Sequence, residues 1–190
     1  MKQNIPAVIF AGGKSSRMGE DKALLPFNRF NTLSEYQYRR LSPLFETVYL
    51  CAKENKFGFD APLIKDRYET ASPLVGIVSI FETIHDTDAV FILSVDAPFV
   101  NEEIIDTLIQ TWKGEDAVIA RNKGKVQPLC GLYSKDILPL AQKEMAKGNH
   151  KLKMLLEKAD TTYVDFHEEK AFLNLNHPHE YEEAKKIISS

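Results

Sequence analysis

The chain alternates between short apolar runs and amphipathic segments. IPAVIFA (5–11) is continuously apolar, the pattern of a strand covered on both faces. Residues 32–45 place Leu33, Tyr36, Leu41 and Leu44 near helical spacing, with Glu35 and the Arg39–Arg40 pair facing water. TVYLCA (47–52) and APLIK (61–65) read as the next two strands. SPLVGIVSIFETIHD (72–86) carries Leu74, Ile77, Val78, Phe81 and Ile84 on one helical stripe, and Ser72 followed by Pro73 marks its start. AVFILSV (89–95) is the clearest buried strand, and Asn101 then caps a helix that runs through Trp112. DAVIAR (116–121) and QPLCGLYS (127–134) read as further strands. Residues 134–148 read as a helix stopped by Gly148, with Pro139 confined to its first turns. A short helix (151–159), the strand TTYVDF (161–166) and a final helix (179–189) complete the chain.

Strands alternating with helices predict a three-layer α/β fold, with a mostly parallel central sheet flanked by helices. The length of 190 residues suits one domain spanning 1–190, and no repeat or linker divides it. In such sheets ligands gather beyond the carboxyl ends of the strands. That rule singles out the loops after residues 10, 51, 65 and 95, which hold a glycine loop, Lys53, Asp66 and Asp96.

Composition narrows the classes. A hydrophobic content of 44% is enough for a core, and a net charge of -3 argues against a nucleic-acid partner. Cys51 and Cys130 stand far apart in no CxxC pattern, as reduced thiols in a cytoplasmic protein do. Gly12 and Gly13 cut the N-terminal apolar run too short for a signal peptide, and no run approaches the ~20 apolar residues of a membrane span. No membrane partner is expected.

The loop after the first strand carries the chemistry. Gly12 and Gly13 can take positive φ and let a ligand approach the backbone. Successive amides at such a turn form an anion-binding concavity, and Lys14, Arg17 and Lys22 add the charge that phosphates attract. The spacing is neither that of a P-loop nor that of a Gly-x-Gly-x-x-Gly fingerprint. A solvated basic loop would share the same composition.

AGGKSSRMGEDK (11–22) resembles the signature of the small nucleotidyltransferases, in particular the molybdenum cofactor guanylyltransferases of the MobA type. SPLVGI (72–77), SVDAPFV (94–100) and FLNLNHPHE (172–180) resemble three further motifs of that family and occur in the family's order. The resemblance implies a Rossmann-like nucleotidyltransferase fold. It implies Mg²⁺-dependent transfer of GMP from GTP to molybdopterin, with release of pyrophosphate. It also implies GTP contacts at Phe10, Ala11, Gly12, Cys51 and Asp66. Two positions depart from the pattern. Cys51 stands where the family typically has Asn, and a thiol is a weak hydrogen-bonding group. FNRFNTL (27–33) lacks the usual Gly and Pro.

Nucleotidyl transfer needs positioned reactants and groups that stabilise negative charge on phosphate oxygens. Amides of Ala11, Gly12, Gly13, Lys14 and Ser15 are placed to cradle phosphates, with Arg17 and Lys22 neutralising the leaving pyrophosphate. Asp96 is the candidate Mg²⁺ ligand, because an ionised carboxylate at the end of a buried strand is costly unless a cation meets it. Asp21 reads equally well as a second ligand or as half of a local ion pair. Under the resemblance, Asn174 and Asn176, alternating along an extended segment, face the molybdopterin acceptor, with Gln127 and Pro128 lining the same cleft. His177 and His179 read as a loop and helix cap rather than a metal site. Other readings stay open. One is cytidylyl transfer to molybdopterin, or transfer to a sugar-phosphate or isoprenoid precursor. Another is a non-catalytic nucleotide-binding module that delivers cofactor. The sequence leaves room for a transient partner that hands over the molybdenum-bearing substrate.

Overall fold

The computed structural model describes residues 2–12, 19–70 and 72–189. Seven strands form one sheet: β1 (Ala7–Phe10), β2 (Val48–Ala52), β3 (Leu63–Lys65), β4 (Ala89–Ser94), β5 (Ala117–Asn122), β6 (Lys125–Ser134) and β7 (Thr161–Phe166). Their order across the sheet is β3-β2-β1-β4-β6-β5-β7. The helices are α1 (Leu33–Leu41), α2 (Pro73–Phe81), α3 (Glu102–Thr111), α4 (Leu138–Ala146), α5 (Leu152–Leu156) and α6 (Pro178–Ser189).

Strand alternation sorts side chains to two faces. Ala7, Ile9, Leu50, Phe91 and Leu93 pack with Leu33 and Leu41 of α1 and Ile104, Ile105 and Leu108 of α3. Val8, Val90, Ile92, Ile119 and Tyr133 pack on the other face with α2, with Ala141 of α4 and with Leu152, Leu155 and Leu156 of α5. The three-layer arrangement therefore follows from continuous apolar strands that must be covered twice. The predicted caps form as well. Ser72 Oγ accepts from the Val75 amide at 3.2 Å, and Asn101 Oδ1 accepts from the Ile104 amide at 3.0 Å. Thr32 and Glu35 make the same kind of start for α1, with Thr32 Oγ1 accepting from the Glu35 amide at 3.1 Å.

Four strand pairs are parallel, and β6 runs antiparallel to both β4 and β5. The strands predicted at 116–121 and 127–134 extend toward each other as a hairpin that closes at Asn122 and Lys125. Lys123 and Gly124, at φ 50° and 74°, make the two-residue turn that matches strand twist. Between the pairs Ile119–Gly131 and Arg121–Val126 the register shifts, and residues 127–130 leave the regular ladder with β5. Pro128 lies in that stretch, where a missing N–H costs no ladder bond. Helices predicted for 32–45, 72–86 and 134–148 are shorter. α1 and α2 stop at Leu41 and Phe81, and a 3₁₀ turn at Lys135–Ile137 precedes α4.

Arg40 corrects the expectation of a water-facing pair. Its guanidinium turns inward to the Gln37 side chain and the Val100 carbonyl, whereas Arg39 is exposed.

Buried Glu144 ties α4 to α5. Its carboxylate accepts from Lys158 at 2.5 Å, Asn149 at 2.7 Å and Lys147 at 3.2 Å, and these bonds, that of Lys158 foremost, lower its pKa from an ordinary 4.5 to about 2. A depressed acid stabilises the fold above its unfolded pKa and loses that contribution as pH falls toward the folded value. The melting temperature should therefore fall between pH 4.5 and about 2, and Glu144→Gln should be less stable at pH 7 with a flatter profile over that window. Thermal melts from pH 2 to 7 test this, and a variant profile parallel to the wild type would refute it.

Candidate active site

The strand order reverses between β1 and β4: β1 leads outward to β2 and β3, and the chain returns through α2 to place β4 on the other side of β1. Such a switch point opens a crevice at the carboxyl ends of the strands. The registers Phe10–Cys51, Phe10–Ser94 and Ala52–Lys65 keep those ends level. Ala11 and Gly12, Lys53, Asp66 and Asp96 therefore share one edge of the sheet.

At its centre, Lys22 Nζ lies 2.6 Å from Asp96 Oδ2 and 3.1 Å from Asn176 Oδ1. Three segments far apart in the chain meet on one ammonium group. Ser94 donates its hydroxyl to Asp96 Oδ1 at 2.6 Å, and the Leu175 amide donates to the Asp96 carbonyl at 2.9 Å. The ion pair is mostly buried, with side-chain exposures of 17% and 15%, so either charge left alone there would be costly. Lys22 opens a short 3₁₀ turn (Lys22–Leu24) capped by Asp21, whose Oδ1 accepts from the Ala23 amide at 3.0 Å. Asp21 Oδ2 pairs with Lys56. Asp21 is thus spent on a helix cap and on an ion pair, and its partner is the distant Lys56 rather than the adjacent Lys22, which pairs with Asp96.

Beside this cluster lies a cavity of about 310 Å³. Asp96, Asn174 and Asn176 line it, together with the apolar Pro128, Leu152 and Phe172. Asn174 and Asn176 do share a side, as their alternation predicts, and Asn174 Nδ2 reaches Gln127 Oε1 at 3.4 Å. Glu180 fixes this segment by accepting from the amides of Asn176 and His177 at 2.7 and 2.8 Å, so the Glu180 carboxylate, rather than the His177 ring, ties down the start of α6.

At the other end of the edge, buried Cys51 donates its thiol to Asp66 Oδ1 at 3.7 Å. Burial, and then the Asp66 charge, push the thiol well above its ordinary range, so it stays protonated at neutral pH. Burial also raises the Asp66 carboxyl, opposed by the thiol hydrogen bond and by Lys53.

The Phe10 ring packs on α2, where a Cβ on Gly76 would come within 2.4 Å of it, and the Phe10 carbonyl accepts from the Val95 amide at 3.0 Å. Two expectations for the glycine loop need correction. The Ala11 amide donates to the Cys51 carbonyl at 3.0 Å, so it does not belong to a phosphate cradle. Gly12 is exposed without positive φ, and a Cβ there would meet nothing closer than Ala52 Cα at 3.5 Å, an ordinary contact. Gly13, Lys14, Ser15 and Arg17 lie outside the described residues.

Sequence reasoning missed Ser94, Gln37 and Arg40, which hold Asp96 and its loop. The signal for Gln37 was a polar residue inside the apolar stripe of α1, between Tyr36 and Leu41.

Asp96 offers a divalent cation one hard, mostly buried carboxylate, and since Lys22 meets its charge in this structure, a metal would take over the oxygen that the ammonium now holds. Among the described residues no group of three or more His, Cys, Asp or Glu side chains could hold a metal ion. Phosphate oxygens and water would have to supply the remaining ligands, which is the usual coordination of Mg²⁺ at nucleotide sites. Among the described residues no helix is long and apolar enough to cross a membrane.

The chain is 38% identical over 184 residues to a molybdenum cofactor guanylyltransferase of Campylobacter jejuni, covering 95% of each chain. It is 36% identical over 193 residues to one from Helicobacter pylori, covering 97% of this chain and 90% of the relative. A crystal structure of molybdopterin-guanine dinucleotide biosynthesis protein A from Archaeoglobus fulgidus superposes with a TM-score of 0.83 at 22% identity, covering 97% of this chain and 99% of that one. A 2-C-methyl-D-erythritol 4-phosphate cytidylyltransferase from Thermus thermophilus shares the fold at TM-score 0.72 and 16% identity, covering 99% of this chain and all of the other. Residues 7–163 match the MobA-like NTP transferase domain, and with that match and these relatives the chain belongs to the MobA-like NTP transferase family.

Proposed function

We propose that this nucleotidyltransferase moves GMP from GTP to the terminal phosphate of molybdopterin, giving the guanine dinucleotide cofactor and pyrophosphate. One observation carries the reading: Lys22, Asp96 and Asn176 converge beside a cavity that Pro128, Leu152 and Phe172 also line. A triphosphate needs the cation, a metal needs the carboxylate, and a pterin needs a slot with amide edges and apolar walls.

In this reading an oxygen of the acceptor phosphate attacks the α-phosphorus, the bond to the β-phosphate oxygen breaks, and pyrophosphate leaves. Lys22 turns from Asp96 to the phosphate oxygens and offsets the charge that accumulates as pyrophosphate departs. Asp96, oriented by Ser94, would hold Mg²⁺, which supplies charge neutralisation and alignment of the triphosphate. Asn174 and Asn176 orient the acceptor from the cavity wall, and Gln127 holds Asn174. The exposed Gly12 backbone, together with Gly13, Lys14, Ser15 and Arg17, receives the phosphates.

Asp66 accepts from the N–H edge of guanine or from a ribose hydroxyl. Cys51, at the position of the family's Asn, touches Asp66 through a weak thiol hydrogen bond, and the carboxylate is left to recognise the base.

Isothermal titration with GTP, CTP, ATP and UTP in the presence of Mg²⁺ tests the base assignment. GTP should bind at least ~10-fold more tightly than the others, the discrimination expected when donors of the right base meet a fixed acceptor. Tighter binding of CTP would replace guanylyl by cytidylyl transfer.

A further inference from the structure

Residues 94–98 form the exit from β4 and contain the carboxylate that the mechanism depends on. Their backbone has no regular secondary structure beyond Ser94, so each carbonyl there must find a donor or remain unsatisfied. The Ala97 amide donates to the Ser94 carbonyl at 3.2 Å, and the side-chain donors come from one face of α1. Gln37, fully buried, points its amide nitrogen at the carbonyls of Ser94, Val95 and Ala97, at 3.4, 3.2 and 3.0 Å. Tyr36 donates its hydroxyl to the Pro98 carbonyl at 3.4 Å. Arg40, one helical turn after Tyr36, donates to the Val100 carbonyl. Its Nε and Nη2 also donate to Gln37 Oε1 at 3.1 and 2.6 Å, which turns the Gln37 amide so that its nitrogen faces the loop. The Asp96 carbonyl is the one that α1 does not reach, and Leu175 takes it.

We infer that Gln37 and Arg40 are positioning residues that set the Asp96 carboxylate for the metal–triphosphate complex. The arrangement has the features of such a device. Gln37 touches neither Asp96 Oδ atom, yet it grips the carbonyls on both sides of that residue. It is buried, so no water replaces its donors. Arg40 makes its orientation single-valued, since the amide oxygen is engaged by two guanidinium nitrogens. This inference rests on the reading of Asp96 as the metal-bearing carboxylate.

The test compares Gln37→Leu, Gln37→Glu and Asp96→Asn with the wild type, with Arg39→Ala as a control on the exposed side of the same helix. Gln37→Leu removes both donors. Gln37→Glu keeps the volume and the Arg40 contacts while turning the donor atom into an acceptor. Three quantities are read: Mn²⁺ binding in the presence of GTP by electron paramagnetic resonance, the Mg²⁺ concentration for half-maximal product formation, and KM for GTP at saturating Mg²⁺.

Both Gln37 variants should bind Mn²⁺·GTP ~10-fold more weakly and need ~10-fold more Mg²⁺, with KM for GTP at saturating metal within about twofold of wild type, because a displaced carboxylate weakens one ligand of several. Arg39→Ala should match the wild type. Gln37 variants that fold and keep wild-type metal constants, while Asp96→Asn loses them, would overturn the positioning role and leave the Asp96 reading intact. An Asp96→Asn variant with a normal metal response would remove the reading itself, and this inference with it. Failure of Gln37→Glu to fold would also overturn the inference, since the contact would then hold the fold rather than the carboxylate.

Discussion

Replacing Asp96 by alanine is expected to lower turnover by ~10³-fold, about 4 kcal/mol of transition-state stabilisation, the scale on which loss of a preorganised charge at a phosphoryl site is felt. The physical cause is local. Asp96 is the carboxylate that the sheet's central crevice presents to the ligand edge, it is mostly buried, and Ser94 and the Leu175 amide leave it little freedom to be replaced by a neighbour. The binding step should respond differently. Lys22 stays in place, held in part by Asn176 Oδ1, so GTP measured without metal should bind the variant at least as well as the wild type. The gain has a simple source: in the free protein Lys22 is engaged by Asp96, and that contact must be given up when phosphates arrive. Steady-state kinetics with molybdopterin and titration calorimetry with and without Mg²⁺ separate the two effects. Full turnover in Asp96→Ala would place the metal elsewhere.

Substituting Gly131 by alanine should be the most damaging single methyl group in the sheet. A Cβ there would lie 2.4 Å from the Val118 carbonyl oxygen and 3.0 Å from Ile119 Cα, both on β5. Backbone cannot step aside as a side-chain tip can, so β5 and β6 must part or the strand must rotate. We expect a loss of ~3 kcal/mol, near the upper end for overpacking of a core, and a fall in melting temperature of roughly 10 °C for a chain of this size. Urea and thermal unfolding measure both. The cavity wall should suffer with it, because residues 127–130 of the same strand line that cavity. A variant that melts within 2 °C or so of wild type would show that β5 and β6 are not packed in this register.

Much of the fold could be read from local pattern. Fully apolar runs such as AVFILSV need cover on both faces, and the amphipathic stripes between them provide it, so three layers follow without any knowledge of contacts. Caps were legible because they act over three residues, as at Ser72 and Asn101. The direction of β6 was not. A strand has the same alternation whichever way it runs, and the evidence for a reversal was only the Lys123–Gly124 pair in a polar stretch. Helix ends were also overextended, because residues such as Leu44 and Ile84 stay near the core after the helix has stopped.

The site divides along the same line. Lys22, Asp66 and Asp96 could be nominated from residue type and position, since strand ends and glycine loops are where such sheets keep their ligands, and Asn174 and Asn176 from the family resemblance of their segment. What they do to one another could not. That Lys22 bridges Asp96 and Asn176 depends on a crossover that brings residues 22, 96 and 176 together. That Phe10 turns its ring into α2 rather than toward a base depends on the space left at Gly76.

By itself the sequence determined the layering, the identity of the loops at the ligand edge and the chemical groups available there, because each of these is set by periodicity or by residues close along the chain. Only the tertiary structure decided which of those groups meet, which are already spent on a neighbour, and that a buried glutamine on the first helix donates to the carbonyls on either side of Asp96. Contacts between residues sixty or more positions apart follow from the order in which strands join the sheet, and no local pattern records that order.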